Sequence, residues 1–126
     1  MTKKRIVTDK APAALGPYSQ AIAAGGMLYA SGQVPVDPAT GELAGADIET
    51  QARQVFENLK QVLQAAGADF GSVVKTTVFL TDLANFGVVN DIYAEYFTEP
   101  YPARSCVQIS ALPKGALIEA ELIAEL

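Results

Sequence analysis

The sequence contains no histidine, and Cys106 is its only cysteine. Without histidine, Ser-His-Asp and Cys-His catalysis are excluded, and so are the usual zinc ligand sets. A single cysteine can form neither an intrachain disulfide nor a cysteine-rich metal site. Any acid–base chemistry must therefore come from Glu, Asp, Tyr, Lys or Cys side chains, and we expect no metal site.

Long runs of one residue class are also missing. No apolar stretch is long enough to span a membrane, and no apolar segment with a cleavage site follows the basic residues near the N-terminus. Lys3, Lys4 and Arg5 form the only basic cluster, in a chain of net charge −5. Affinity for phosphate backbones comes mainly from Lys and Arg. These features favour a reduced, soluble, cytoplasmic protein that binds neither nucleic acid nor membranes.

What is present suits one domain over 1–126, because half of the 126 residues are hydrophobic. An apolar stripe at helical spacing predicts a first helix that Asp47 caps and Gly67 ends. Asn85 can cap a second helix that reaches about Phe97. Strands are predicted around 6–7 and at 20–24, 27–31, 73–80, 102–109 and 118–122. This order predicts an α+β fold, a single mixed sheet with both helices on one face.

The last two predicted strands carry the polar residues of greatest interest. Side chains alternate across a strand, so Arg104, Cys106 and Gln108 share one face, and Glu119 and Glu121 share one face of the next strand. Taken as partner strands, they point a guanidinium, a thiol, an amide and two carboxylates the same way. The residue types alone leave a solvated sheet face and a functional site as equal alternatives.

The sheet face away from the helices is predicted to be both aromatic and polar. Its residues would be Tyr29, Ser31, Thr77, Phe79, Arg104, Cys106 and Gln108. A mixed surface of this kind rarely faces plain water. The sequence therefore predicts an oligomer that packs these faces together.

A signature near the C-terminus resembles that of the Rid family, the reactive intermediate deaminases of YjgF or L-PSP type. It comprises Pro-Ala-Arg-Ser-Cys at 102–106, Leu-Pro-Lys-Gly at 112–115 and Ile-Glu at 118–119. Earlier blocks resemble the family in the same order, and they lie at 16–21, 31–35, 74–80 and 89–93. Each block is weak by itself, but together they cover nearly the whole chain. One departure is Ala120, where the family usually has a larger aliphatic residue; we expect only a packing change from it.

The resemblance implies a chorismate-mutase-like fold and a homotrimer with active sites in the clefts between subunits. It also implies cofactor-free hydrolysis of 2-imino acids, such as 2-iminobutanoate and 2-iminopropanoate, to 2-oxo acids and ammonia. These reactive imines arise when pyridoxal-phosphate dehydratases act on serine or threonine, so the implied role is detoxification.

The resemblance assigns the two central roles to Arg104 and Glu119. Arg104 would grip the substrate carboxylate through two hydrogen bonds. Glu119 would orient and deprotonate the attacking water, and Glu121 would raise its pKa by like-charge repulsion. The alternatives are a surface salt bridge between Arg104 and either glutamate, and a solvated strand carboxylate at Glu119.

Three further residues match pocket positions of the family, namely Tyr18, Ser31 and Asn90. Tyr18 would wall the pocket or hydrogen-bond the water. Ser31 and Asn90 would contact the substrate, with ordinary strand-end and helix-surface hydrogen bonding as equal alternatives. Cys106 would line the site through its backbone groups, because no paired base is available to make it a nucleophile.

Two other functions stay open at this stage. A non-catalytic trimer could bind a metabolite in the same cleft. A ribonuclease or translation inhibitor is an activity also attributed to the family, but the net charge and the lack of histidine argue against it.

Overall fold

The computed structural model describes residues 2–126 as a six-stranded sheet with two α-helices. The strands are β1 (Lys4–Ile6), β2 (Ala21–Ala24), β3 (Met27–Gln33), β4 (Val73–Leu80), β5 (Ala103–Gln108) and β6 (Ile118–Glu125). The helices are α1 (Ile48–Ala65), between β3 and β4, and α2 (Phe86–Tyr96), between β4 and β5. The predicted order of elements and the α+β class are confirmed.

The ends of α1 follow the sequence signals. The Asp47 carboxylate accepts a hydrogen bond from the Thr50 backbone N–H at 2.9 Å, which satisfies one of the free donors of the first turn. Beyond the last turn, Gly67 adopts φ 79°, a left-handed conformation that glycine enters without steric cost. Asn85 precedes α2 but makes no capping hydrogen bond. Asp82 accepts from Ala84 N–H instead, in the short 3₁₀ turn before the helix.

The sheet runs in the order β1-β2-β3-β6-β4-β5, and only β4 and β5 are parallel. Both helices pack on one face. α1 contacts β3 and β6, while Tyr93 of α2 shares a hydrogen bond with Thr76 of β4 at 2.8 Å. Alternate residues of the central strands, such as Val78 and Ala120, are buried under the helices. Ala120 thus points into the core.

The prediction that the polar residues of β5 and β6 point the same way is wrong. β4 lies between the two strands, so they are not partners. Arg104 lies opposite Thr76 of β4, and directly opposed residues project to the same face. Because Thr76 is buried under α2, the side chains of Arg104, Cys106 and Gln108 project to the helix side.

The two glutamates occupy the other face. Glu119 lies opposite Phe79, and Glu121 lies opposite Thr77. Tyr29 is on this face too and is 48% exposed. The open face is therefore aromatic and polar, as predicted, but its charges are carboxylates and it lacks the guanidinium, thiol and amide. Within residues 2–126, no helix combines the length and the apolar character needed to cross a membrane.

Candidate active site

The Arg104 side chain lies against α2. One guanidinium nitrogen, Nη1, donates a hydrogen bond to Asn90 Oδ1 at 2.9 Å. The guanidinium carbon lies 4.7 Å from the ring centroid of Tyr93 and 5.4 Å from that of Phe86. A cation at these distances is attracted by the aromatic ring. Arg104 is thus held in one orientation while its side chain remains exposed.

Tyr93 gives this arrangement a rigid base. Its ring stacks on Phe97 with centroids 4.2 Å apart, and its hydroxyl shares the hydrogen bond with Thr76. Burial raises the pKa of the Tyr93 hydroxyl, and the Thr76 hydrogen bond and the Arg104 charge only partly offset this rise. The phenol therefore stays neutral, and with its hydroxyl bonded to Thr76 the Tyr93 ring serves as a platform for the guanidinium.

A cavity of about 450 Å³ opens over this platform, and we call it the Arg104 cavity. Its lining residues are Asn90, Tyr93, Ala94, Tyr101, Pro102 and Arg104. The guanidinium offers a planar set of donors that matches a carboxylate. The arrangement can bind a small anion, but the lining contains no group suited to move a proton near neutral pH.

Glu119 belongs to a second cavity of about 650 Å³, the Glu119 cavity. Tyr18, Ser31 and Lys114 line it with Glu119, and most of the remaining lining is apolar. The carboxylate is half-buried. Burial raises the pKa of Glu119, and the neighbouring charge of Glu121 raises it further. The predicted effect of Glu121 on this pKa is confirmed, although burial is the larger cause.

The N-terminal segment forms one wall of the Glu119 cavity. The Ser31 hydroxyl donates to the Ser19 carbonyl at 2.6 Å, so its oxygen can still accept a hydrogen bond from a ligand. The Tyr18 hydroxyl accepts from the Leu15 backbone N–H at 3.4 Å, and Tyr18 is 55% exposed. Buried Gln20 ties this segment down by donating to the carbonyls of Pro12 and Thr8.

Cys106 is absent from the linings of both cavities. Its side chain packs against the hydrophobic core under β5. Burial raises the pKa of the Cys106 thiol, against a smaller opposing effect of Arg104. A thiol in this state is a poor nucleophile. Its predicted contribution through backbone groups stays a prediction, and β5 is an edge strand, which leaves part of its backbone unpaired within the sheet.

The structure thus divides the predicted site residues into two groups. Arg104 and Asn90 lie together, and Glu119, Tyr18 and Ser31 lie together, yet no residue lines both cavities. A salt bridge from Arg104 to Glu119 or Glu121 is not formed, because these side chains project from opposite faces of the sheet. No three His, Cys, Asp or Glu residues in 2–126 lie close enough together to hold a metal ion.

Sequence reasoning missed several residues at these cavities. Phe86 lies four residues before Asn90 and Tyr93 three residues after it, on one face of the predicted second helix. Aromatic rings at this spacing can flank a cation, and this spacing was the available signal. Gly32 directly follows the predicted strand at 27–31, and a residue without a side chain gives no signal of its place in the Glu119 cavity. Lys114 has φ 60°, a conformation uncommon outside glycine, and the motif Pro-Lys-Gly was the available signal for this turn.

The comparisons with known proteins agree with this fold. The family model described as Endoribonuclease L-PSP matches residues 8–126. A chloroplastic Reactive Intermediate Deaminase A of Arabidopsis thaliana is 54% identical, over 98% of this chain and 67% of that protein. The 2-iminobutanoate/2-iminopropanoate deaminase of Mus musculus is 50% identical, over 97% of this chain and 90% of that protein.

A solved structure is also similar over the whole chain. The crystal structure of E. coli TdcF with bound serine has a TM-score of 0.92 and is 45% identical, with 98% of each chain covered. Full-length matches of this identity cannot arise from shared fold alone. The chain therefore belongs to the Endoribonuclease L-PSP family, which is the Rid family that its motifs resemble.

Proposed function

We propose that this protein hydrolyses 2-imino acids, such as 2-iminobutanoate and 2-iminopropanoate, to 2-oxo acids and ammonia. Water adds to the C=N carbon, and the C–N bond of the resulting tetrahedral adduct then breaks to leave C=O and NH₃. The mouse relative bears the name of this activity. The residues of both cavities supply what the reaction needs, a clamp for a carboxylate and a group that moves protons.

Arg104 binds the substrate carboxylate. Arg104 lines the Arg104 cavity, and its hydrogen bond to Asn90 uses only one of the five N–H donors of the guanidinium. Because the side chain is already held in place, little conformational entropy is lost when a ligand binds. This end of the site fixes the substrate and carries no proton.

Glu119 is the general base. It takes a proton from the water as the oxygen attacks the imine carbon, and it passes that proton to the nitrogen. It then takes the proton of the adduct's hydroxyl and passes it to the same nitrogen, so that C=O forms as NH₃ leaves. A base works best when its pKa approaches the operating pH. Burial and Glu121 both move the pKa of Glu119 in that direction. Tyr18 and Ser31 present hydroxyls in the same cavity, where they orient the water.

Each active site forms between two subunits of a homotrimer in this proposal. The separation of the two cavities is the reason. A single small imine must contact Arg104 and Glu119 together, but within one chain these residues lie in separate cavities on opposite sheet faces. Two chains can bring the groups together if the Arg104 cavity of one faces the Glu119 cavity of the next. Such a heterologous contact closes into a ring of three chains when it relates neighbours by a three-fold rotation.

Mixing two inactive variants tests this arrangement. Arg104→Ala and Glu119→Gln chains, each carrying a different tag, are co-expressed and the mixed trimers are purified. A composite site has both functional groups when its two halves come from different variants. In a cyclic trimer that contains both variants, one of the three sites is complete, so the purified mixed trimers should show about one third of wild-type activity. If both residues acted within one chain, the mixture would stay inactive.

The reaction itself is tested by coupling the protein to a threonine dehydratase and following release of ammonia from 2-iminobutanoate, without added metal or cofactor. Light scattering on the same sample should report a trimer. A folded trimer that leaves the buffer rate unchanged would favour the metabolite-binding function. A monomer at micromolar concentration would contradict the composite site.

RNA cleavage is the activity in the family description, and it is less well supported by this chain. The net charge is −5 and Lys3, Lys4 and Arg5 form the only basic cluster, whereas affinity for an RNA backbone comes mainly from Lys and Arg. Incubation with a labelled single-stranded RNA separates the two activities. Degradation that Glu119→Gln abolishes would support a ribonuclease.

A further inference from the structure

Gly32 lies directly beneath the Glu119 side chain. A Cβ atom built on Gly32 would be 2.5 Å from Oε2 of Glu119, 2.8 Å from Cδ and 3.1 Å from Cγ. Non-bonded carbon atoms sit about 3.5–4.0 Å apart. Any side chain at position 32 would therefore occupy space that the glutamate already fills.

The backbone gives no other reason for glycine here. The glycines with positive φ are Gly25, Gly26, Gly41, Gly67 and Gly115. Gly32 is not among them, so an L-residue can adopt its conformation without strain. The demand for glycine comes from the glutamate and not from the path of the chain.

A β-bulge brings the two residues together. The pairing of β3 with β6 shifts between Ala30, opposite Leu122, and Gln33, opposite Ala120. Ser31 and Gly32 therefore both face Glu121, and a bulge of this kind redirects side chains and bends the strand. The bulge turns bare backbone at Gly32 toward the space that the Glu119 side chain crosses.

We propose that Gly32 is a positioning residue, which holds the Glu119 carboxylate in its catalytic place by leaving that space empty. The inference rests on the role of Glu119 in the proposed function. The contacted atoms are the far end of a flexible side chain, so an added methyl group displaces the carboxylate and leaves the fold intact. The Glu119 side chain lies on the Gly32 backbone, and this contact is also part of what buries its carboxylate.

The kinetic test compares Gly32→Ala with Gly87→Ala. Gly87 is the matched control, because a Cβ built there meets nothing. Apart from its chain neighbours and the nearby backbone of α2, no heavy atom of the described residues lies within 4 Å of that Cβ. A misplacement of about 1 Å can cost roughly a hundredfold in rate. Gly32→Ala should lower kcat ten- to about a hundredfold with KM near wild type, since Arg104 still binds the carboxylate. Gly87→Ala should behave as wild type, and a wild-type kcat in Gly32→Ala would overturn the inference.

A double-variant cycle shows whether Gly32 acts through Glu119. In a Glu119→Gln background, Gly32→Ala should change the residual kcat less than about twofold, because the group it positions is already inactive. A further loss as large as that in the wild-type background would overturn the inference. If Gly32→Ala loses the trimer, Glu119→Ala is added to remove all three contacted atoms. Recovery of the fold supports the steric contact, and continued unfolding contradicts it.

A substrate-free measurement separates this inference from the proposed function. The Glu119 carboxyl is followed by ¹³C NMR during a pH titration and assigned by the signal lost in Glu119→Gln. In Gly32→Ala the displaced carboxylate gains solvent, so its pKa should fall below the wild-type value. An unchanged titration would overturn the role of Gly32. A wild-type protein without deaminase activity would instead contradict the proposed function, whatever the titration shows.

Discussion

The Arg104 cavity and the Glu119 cavity hold their charged side chains in opposite ways. Arg104 is held from two directions before a ligand arrives, by a hydrogen bond to Asn90 and by the ring of Tyr93. Glu119 lies over bare backbone at Gly32, in surroundings that raise its pKa. A cation that never changes charge can be fixed by partners. A carboxylate that must take up and release a proton works better when no partner stabilises its charged form.

The largest expected effect comes from removing the proposed base in the Glu119 cavity. Glu119→Gln keeps the shape but removes the base, and general acid–base catalysis contributes about 10²–10⁴-fold. We expect kcat to fall by that factor with little change in KM, measured by ammonia release. Glu121→Gln is the matched carboxylate control and should retain most of the activity. Equal losses in the two variants would show that the pair acts by charge alone.

The next effect tests whether Arg104 is a fork or only a charge. Lysine keeps the charge but offers a compact ammonium. A lost hydrogen bond to a charged group costs about 1.5–3 kcal/mol, so Arg104→Lys should lower kcat/KM roughly ten- to a hundredfold. Arg104→Ala should be worse. An imine without a carboxylate should be hydrolysed equally by all three proteins, and equal rates on 2-iminobutanoate would reject the clamp.

Asn90 tests the Arg104 cavity alone, because it holds the guanidinium in place and does not line the Glu119 cavity. Asn90→Ala frees the guanidinium from its hydrogen bond, and at this exposed position the loss should be about tenfold or less. It should appear in KM more than in kcat, since Asn90 orients the clamp and moves no proton. A loss confined to kcat would place Asn90 among the residues that contact the reacting atoms.

A smaller effect concerns pH. The negative charge of Glu121 raises the pKa of Glu119, and a general base is active only when deprotonated. Removing that charge in Glu121→Gln lowers the pKa of Glu119, so the acid limb of the kcat/KM profile should move to lower pH. At neutral pH the rate should change little. A limb that moves to higher pH, or not at all, would assign it to a different group.

The smallest effect is expected at Cys106. Its side chain packs on the core and its pKa is raised by burial, so no step needs the thiol. Cys106→Ser should keep most of the kcat, measured beside Arg104→Ala in a folded trimer. A loss equal to that of Arg104→Ala would revive covalent catalysis.

Local patterns determined the elements of this protein. The apolar stripe and the Asp47 cap defined α1, and the order of strands and helices indicated an α+β sheet. Family motifs identified Arg104 and Glu119. Each block of matching residues is weak evidence for the family, but several blocks in the right order over nearly the whole chain are strong evidence. These features depend on neighbours close in the sequence, so a single sequence reveals them.

The tertiary structure decided which way the polar side chains point. Alternation along a strand shows that Arg104, Cys106 and Gln108 share a face, but it gives no information about which face that is relative to Glu119. Register with β4 settles it, since Thr76 opposite Arg104 faces α2 and Phe79 opposite Glu119 faces away. Pairing in a sheet joins residues far apart in sequence, and a shift of one residue reverses every side chain. For this reason the sequence could not show that Arg104 and Glu119 lie in two separate cavities, and the tertiary structure was needed to show it.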